Sequence, residues 1–147
     1  MAVYIARALA GGDAKVPIGP GTASFLDVLT THWAFRYTEY AKSSHIVTGY
    51  PDGLYYPSDP VDRGQMAVFV GRAIVSPTGD EGLVGYSPPS TPSFPDVLST
   101  HYAFRYIEYI RGAGVTGGYP DGKYHPEVVV TRDQMAVYVA RAFALLP

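Results

Sequence analysis

Residues 66–73 read MAVFVGRA, and closely similar segments occur as MAVYVARA at 135–142 and as MAVYIARA at 1–8. A phrase that occurs three times in 147 residues indicates an internal repeat. Its apolar residues lie three and four positions apart, which predicts an amphipathic helix. The residues predicted on its buried face are Met66, Phe69, Val70 and Ala73 in one copy and Met135, Tyr138, Val139 and Ala142 in the other.

The repeat is longer than this phrase. A shift of 69 positions aligns residues 24–74 with residues 93–143 without a gap, and 29 of the 51 aligned pairs are identical. The shared frame reads FxDV, THxAFRYxEY, GYPDGxYxP and VxRxQMAVxVxRA. Because a catalytic centre is normally needed once, a recurring frame indicates architecture or a repeated binding surface.

The first predicted helix of each repeat follows THxAFRYxEY. Its predicted apolar face consists of Trp33, Ala34, Tyr37, Tyr40 and Ala41 in one copy and of Tyr102, Ala103, Tyr106 and Ile110 in the other. Its candidate N-terminal caps are Asp27 or Thr31, and Asp96 or Thr100.

The second predicted helix begins at a capping box. Asp62 with Gln65, and Thr131 with Gln134, have the spacing at which each side chain reaches the backbone of the other residue. Within this helix, Ala67 and Gly71 lie four residues apart, as do Ala136 and Ala140 in the other copy. This spacing of small residues predicts close helix approach at a shared axis.

The segment GYPDG, at 49–53 and 118–122, predicts a turn that joins the two helices. Proline sets φ, the aspartate side chain bonds nearby backbone, and glycine supplies a positive φ. Residues 54–56 and 123–125 are expected to be short extended pieces, each ended by a proline.

Composition excludes several functions. The net charge is −2 and the basic residues are scattered, so nucleic acid is not an expected partner. The chain has no cysteine, which excludes disulfides and thiol catalysis. It has no apolar run long enough to span a membrane. The 13 tyrosines are compatible with sugar contacts or protein interfaces as well as with ordinary packing.

The predicted organisation is half a repeat followed by two whole ones. Residues 1–9 are the second helix of a truncated repeat, 24–74 and 93–147 are complete repeats, and the Pro/Gly/Ser-rich segments 10–23 and 75–92 are exposed linkers. We expect Met1 to lie inside a longer natural chain.

The order FxDV, HWA, GYPDGxYxP and [TD]RxQMAVFxxRA resembles the S-layer homology domain family over nearly all of residues 24–74 and 93–143. The resemblance implies an all-α fold of helix-loop-helix repeats, arranged with pseudo-threefold symmetry as a spindle around a central helical bundle. It also implies non-covalent anchoring of an extracellular protein to the cell wall through a pyruvylated secondary cell-wall polysaccharide.

The family's ligand-contacting arginine falls on Arg63 and Arg132, and its aromatic residue falls on Trp33 and Tyr102. The surrounding VDRGQ and VTRDQ depart from the family's Thr-Arg-Ala-Glu, which weakens the polysaccharide interpretation. A guanidinium can bind the carboxylate of an acidic ketal at two points. The structural alternative is an ion pair with a carboxylate of a neighbouring repeat, namely Asp27, Asp96, Glu39 or Glu108.

The other candidate site residues also have two interpretations. Trp33 either stacks on a sugar ring or belongs to the core. Two pairs, Gly49 with Tyr50 and Gly118 with Tyr119, either offer backbone groups and an aromatic wall to a glycan or serve turn geometry and packing.

No enzyme, cofactor or metal site is predicted. The carboxylates recur at equivalent places, which favours capping and turn roles over glycosidase chemistry. The histidines form no ligand cluster, and each PDG loop offers one carboxylate, too few for a calcium loop. The predicted function is therefore attachment to an extracellular cell wall or S-layer through an acidic polysaccharide. The alternative is a self-assembling structural protein of a lattice, sheath or filament, in which the tyrosines make the protein contacts.

Overall fold

The computed structural model describes residues 1–144 and is all-α, as predicted. In this part of the chain the only β-pairing is a single antiparallel bridge between Asp62 and Val129. None of the helices in residues 1–144 is long and apolar enough to cross a lipid bilayer. The five helices are α1 (Ala2–Ala10), α2 (Phe35–Ser43), α3 (Arg63–Ile74), α4 (Phe104–Gly112) and α5 (Arg132–Ala142).

The three helices that contain the recurring phrase pack together at the centre of the molecule. Each of α1, α3 and α5 contacts the other two. The equivalent residues Ile5, Val70 and Val139 are all buried in one apolar cluster. Burial of such a side chain contributes about 1.5–3 kcal/mol. The shared axis predicted from the repeat is therefore confirmed.

The remaining two helices pack on the outside of this centre. Helix α2 packs on α1, and α4 packs on α3. A Cβ at Gly71 would lie 3.1 Å from the Tyr106 ring and 3.8 Å from Ile110, so this glycine faces α4. The close approach predicted at small residues thus occurs, but at the α3–α4 contact. Ala136 of α5 is exposed, although the equivalent Ala67 is buried.

The predicted caps of the first helix are wrong. Helices α2 and α4 begin at Phe35 and Phe104 without a side-chain cap. Asp27 instead accepts the backbone N–H groups of Tyr55 and Tyr56 at 2.8 and 2.7 Å. Asp96 accepts the equivalent pair, from Tyr124 and His125, at 3.0 and 2.7 Å. The carboxylate of the FxDV segment therefore fixes the loop after the GYPDG turn.

The turns and capping boxes form as predicted. The Asp52 carboxylate accepts the Leu54 N–H at 3.0 Å, and Gly53 has a φ of 81°. Both Asp62–Gln65 and Thr131–Gln134 are reciprocal capping boxes. The expected extended pieces end differently, because Tyr56 and His125 have φ values of 56° and 55° in the left-handed region.

The segments 10–23 and 75–92 are exposed along most of their length but contain local structure. Each contains a short 3₁₀ turn, Asp13–Lys15 or Gly79–Leu83, and buries one apolar side chain, Val16 or Leu83. The aspartate of each turn joins an arginine of the preceding helix to a tyrosine of the following one. Asp13 binds Arg7 and Tyr37 at 2.6 Å each, and Asp80 binds Arg72 at 2.6 Å and also Tyr106. Each linker therefore holds successive repeats together through an aspartate that binds a side chain of each.

A matched pair of substitutions tests the packing. Ala67→Leu should destabilise the protein by about 1–3 kcal/mol, because the larger side chain overpacks a buried site. Ala136→Leu, the same change one repeat later, should alter stability by less than about 0.5 kcal/mol because the site is exposed. Urea unfolding midpoints measure both. Equal effects would contradict the packing described for α3 and α5.

The contacts of Asp13 and Asp80 predict that the stability of the protein depends on pH. Hydrogen bonds from Tyr37 and Arg7 lower the pKa of Asp13 to about 2, and those from Arg72 and Tyr106 lower the pKa of Asp80. A carboxyl with a lowered folded-state pKa contributes stability above its unfolded pKa, near 3.8. That contribution should be lost as the pH falls from about 4 through 2.

Thermal melts across this pH range should show a smaller acid-induced decrease in Tm for the variant Asp13→Asn/Asp80→Asn. A decrease as large as that of the unmodified protein would mean that other carboxyls are responsible.

Candidate functional site

Arg63 is the first residue of α3 and lies against the turn segment of the next repeat. Its backbone N–H donates to the Val128 carbonyl at 2.9 Å, and its Nε donates to the Tyr124 carbonyl at 2.7 Å. The Asp62–Gln65 capping box fixes the helix start from which this side chain departs. Arg63 is only 5% exposed. The contact is therefore a seam between repeats.

Three tyrosines surround the guanidinium of Arg63, and we call them the tyrosine cage. The Arg63 Cζ lies 4.6 Å from the ring centroid of Tyr119, 4.4 Å from that of Tyr124 and 5.7 Å from that of Tyr138. Desolvated cation–π contacts contribute about 2 kcal/mol, and exposed ones about 0.5–1 kcal/mol. The Tyr124 hydroxyl also donates to the Arg63 carbonyl at 3.0 Å, and burial raises the pKa of Tyr124.

The cage leaves part of the guanidinium without a partner. The Nη2 of Arg63 is buried and has no hydrogen-bond partner among residues 1–144. An unsatisfied buried donor on a charged group is unfavourable by more than about 1–3 kcal/mol. Such a group is accounted for when a ligand or an ordered water supplies the acceptor.

The carboxylates considered as ion-pair partners have other roles. Glu39 binds the backbone N–H and hydroxyl of Ser24, each at 2.7 Å. Glu108 makes the equivalent bonds to Ser93 at 2.7 and 2.6 Å. Asp27 and Asp96 bind the loops after the turns. The ion-pair interpretation of Arg63 is therefore wrong, because the rings and the carbonyl of the next repeat surround its charge.

Gly118 and Tyr119 lie at the same seam as Arg63. Gly118 has a φ of 77°, and a Cβ there would approach the Phe94 ring to 2.5 Å and the Lys123 carbonyl oxygen to 2.8 Å. The turn closes through the Tyr119 N–H, which donates to the Lys123 carbonyl at 2.8 Å. The structure thus brings together three of the predicted site residues.

Three other predicted residues line a cavity of about 210 Å³ on the preceding repeat. These residues are Gly49, Tyr50 and Tyr102. The Tyr102 hydroxyl donates to Asp62 Oδ1 at 3.3 Å, and burial together with the Asp62 charge raises the pKa of Tyr102. Tyr102 is nevertheless 60% exposed, so its ring is available to a ligand.

The last two predicted residues are on the surface. Trp33 is 74% exposed and contacts the His32 ring at a centroid distance of 5.8 Å, so its interpretation as a core residue is wrong. Arg132, the counterpart of Arg63, is exposed at the start of α5. The structure places neither residue in the tyrosine cage.

Tyr124 and Tyr138 are not among the site residues predicted from the sequence, whose pattern places Tyr124 in an extended piece and Tyr138 on the buried face of a helix. Both are buried, and their rings lie against the Arg63 guanidinium. The available signal was that Tyr124 and its counterpart Tyr55 occupy an identical position in both copies of GYPDGxYxP. Among residues 1–144, no three His, Asp or Glu side chains are grouped so as to hold a metal ion.

Gly118→Ala tests whether this turn is sterically required. Both Gly118 and Gly114 have positive φ, but only Gly118 lacks space for a Cβ. Gly114→Ala should cost about 1–2 kcal/mol from the left-handed backbone alone. Gly118→Ala should lower the free energy of unfolding by at least about 1 kcal/mol more, because the added methyl group also overpacks Phe94. Chemical denaturation measures both variants. Equal losses of unfolding free energy would show that the Phe94 ring moves aside and that the close contact is unimportant.

Comparison with known proteins agrees with this architecture. The family described as "S-layer homology domain" matches residues 24–67 and 93–136. Cell surface glycoprotein 1 of Acetivibrio thermocellus is 31% identical over 96% of the chain, and S-layer protein EA1 of Bacillus anthracis is 30% identical over 88%. The cellulosome-anchoring protein of A. thermocellus is 33% identical over 60%.

The chain spans 6%, 14% and 19% of the lengths of these three relatives, respectively. The two family matches together cover more than half of the chain, and each contains the first helix of a repeat, its turn and the start of its second helix. The chain therefore belongs to the S-layer homology domain family.

Proposed function

We propose that this chain is a non-catalytic domain that holds an extracellular protein on a prokaryotic cell envelope by binding an acidic, pyruvylated wall polysaccharide. The observation that carries the proposal is the buried, unpartnered Nη2 of Arg63 at a seam between repeats. The names of the relatives, which include an S-layer protein and a cellulosome-anchoring protein, support the anchoring role.

The charge at the seam favours an anionic ligand. The guanidinium of Arg63 is held by a carbonyl and three rings, none of which carries a negative charge. A carboxylate on a sugar ketal would supply the acceptor that Nη2 lacks and would neutralise a desolvated cation. Hydrogen bonds between ionised partners are roughly twice as strong as neutral ones.

The turn beside Arg63 would provide the remaining contacts. The Tyr119 ring would form an aromatic wall for a sugar, and the Gly118 backbone would offer it polar groups. On the preceding repeat, Gly49 and Tyr50 would have the same roles. Tyr102 and Trp33, with their exposed rings, would stack on adjacent sugars.

The repeat boundaries belong to the same proposal. We assign residues 24–74 and 93–147 as complete repeats, 1–9 as the second helix of another, and 10–23 and 75–92 as the connections between them. Arg132 would make the ligand contact of the last repeat, since it occupies the position of Arg63.

Cosedimentation with purified pyruvylated wall polymer tests the proposal. Arg63→Ala/Arg132→Ala should abolish binding, and Arg63→Ala alone should weaken it about tenfold or more, since a lost charge-assisted hydrogen bond costs about 1.5–3 kcal/mol. Arg111→Ala, which removes an exposed arginine of α4, is the matched control and should bind normally.

Polymer from which the pyruvyl groups have been removed should fail to bind the unmodified protein. Circular dichroism melts must show that the double variant is folded. Undiminished binding by a folded double variant would eliminate the mechanism.

The second candidate is a self-assembling lattice or filament protein. It is favoured by exposed apolar side chains beside the first helices, namely Leu26, Leu29, Trp33 and Leu98. Sedimentation velocity without polymer separates the candidates. A monomer that binds polymer supports anchoring, whereas ordered, concentration-dependent assembly without glycan supports self-association.

A further inference from the structure

Position 56 of the first repeat and position 125 of the second are equivalent but hold different residues, Tyr56 and His125. The Tyr56 hydroxyl donates to Asp52 Oδ2 at 2.5 Å. The Tyr56 ring also lies edge-on against Tyr50, with ring centroids 5.1 Å apart and an interplanar angle of 82°. Tyr56 therefore joins the aspartate of its GYPDG turn to the aromatic residue of the same turn.

His125 makes the same two contacts in the second repeat. Its Nε2 lies 2.6 Å from Asp121 Oδ2, and its ring lies edge-on against Tyr119 at a centroid distance of 5.2 Å and an angle of 75°. Both residues have a left-handed backbone, with φ values of 56° at Tyr56 and 55° at His125. The geometry of the first repeat is thus reproduced by a side chain that can carry a positive charge, because histidine changes its charge between about pH 5 and 8.

The charge of His125 is close to the guanidinium of Arg63. The Arg63 Cζ lies 4.6 Å from the centroid of the Tyr119 ring, and the centroid of the His125 ring lies 5.2 Å from the same point. The imidazole and the guanidinium are therefore separated by no more than about 10 Å, which is the screening length of 0.1 M salt. An anion bound at the Nη2 of Arg63 is consequently attracted by a protonated His125.

The other charged groups beside His125 are two aspartates, a lysine and a glutamate. Asp121 binds the imidazole, and Asp96 accepts the His125 backbone N–H at 2.7 Å. The backbone N–H of Lys123 and the hydrogen bond from His125 hold the pKa of Asp121 below its usual value, so this carboxylate stays ionised. Lys123 and Glu127 are exposed. With a neutral imidazole these carboxylates repel an anion, and protonation of His125 reduces that repulsion.

We propose that His125 is a positioning residue for the Tyr119 wall of the glycan site, and that its protonation tightens the binding of an acidic polysaccharide as the pH falls from about 8 to 5.5. The inference rests on the proposed function, in which the ligand places a carboxylate at Arg63. That carboxylate remains ionised in this range, since carboxylic acids titrate near pH 4. Protonation therefore changes the site and not the ligand, and the phenol of Tyr56 cannot act in this way because it stays neutral.

The affinity for purified pyruvylated wall polymer, measured calorimetrically at about pH 5.5 and 8, tests the proposal. The Kd of the unmodified protein should be about threefold lower at the acidic pH, because one charge is added roughly 10 Å from the ligand. His125→Tyr installs the residue of the first repeat, so it should keep the contacts to Asp121 and Tyr119 and bind equally at both pH values. His45→Gln changes an exposed histidine that contacts Pro77 instead, and it should keep the pH dependence.

NMR without polymer gives a second readout. The Tyr119 ring resonances should shift as His125 titrates and should not shift over this range in His125→Tyr. His101 is the competing group, since it lies 3.9 Å from Glu127 and stacks on Tyr102 at a centroid distance of 4.7 Å.

Tyr119 resonances that do not follow the titration, or a pH dependence that persists in His125→Tyr and disappears in His101→Gln, would overturn this inference and leave the proposed function intact. Failure of the unmodified protein to bind polymer at either pH would instead refute the proposed function, and this inference with it.

Discussion

The structure depends on the packing of three equivalent helices around one apolar axis. No single helix of nine to twelve residues is stable in water, so α1, α3 and α5 are held by the side chains that they bury against one another. A second face of α1 and of α3 packs against the first helix of the following repeat, α2 and α4 respectively. This arrangement places the start of α3 against the turn segment of the following repeat, and the seam at Arg63 is a direct consequence.

The Arg63 seam illustrates how a repeat interface becomes a candidate binding site. A cation at the first turn of a helix is opposed by the helix dipole, so its position there requires compensation from outside the helix. The rings of the next repeat and the Tyr124 carbonyl provide it. The Nη2 of Arg63 still lacks a hydrogen-bond acceptor. A ligand that supplied this acceptor would therefore also stabilise the contact between the two repeats.

Sequence patterns predicted the local structure correctly where the interactions that fix it join residues close together in the chain. The capping boxes, the GYPDG turns and the buried stripe of the second helix are set by residues within a few positions of one another, and all were predicted. The carboxylates of FxDV were misassigned because Asp27 and Asp96 bind backbone 28 and 29 residues away. The polar contacts of the linkers are not predictable from local pattern for the same reason, since Asp13 and Asp80 bind side chains of different helices.

The sequence by itself determined the repeat, its helical class, its family and the identity of most candidate site residues, because periodicity and recurrence are properties of the chain order. The tertiary structure alone decided which equivalent residues differ in environment. Among residues 1–144, Arg63 is enclosed by the turn segment of another repeat and Arg132 is exposed, although their local sequences are similar. Burial and charge environment arise from contacts between repeats, and no local pattern contains them.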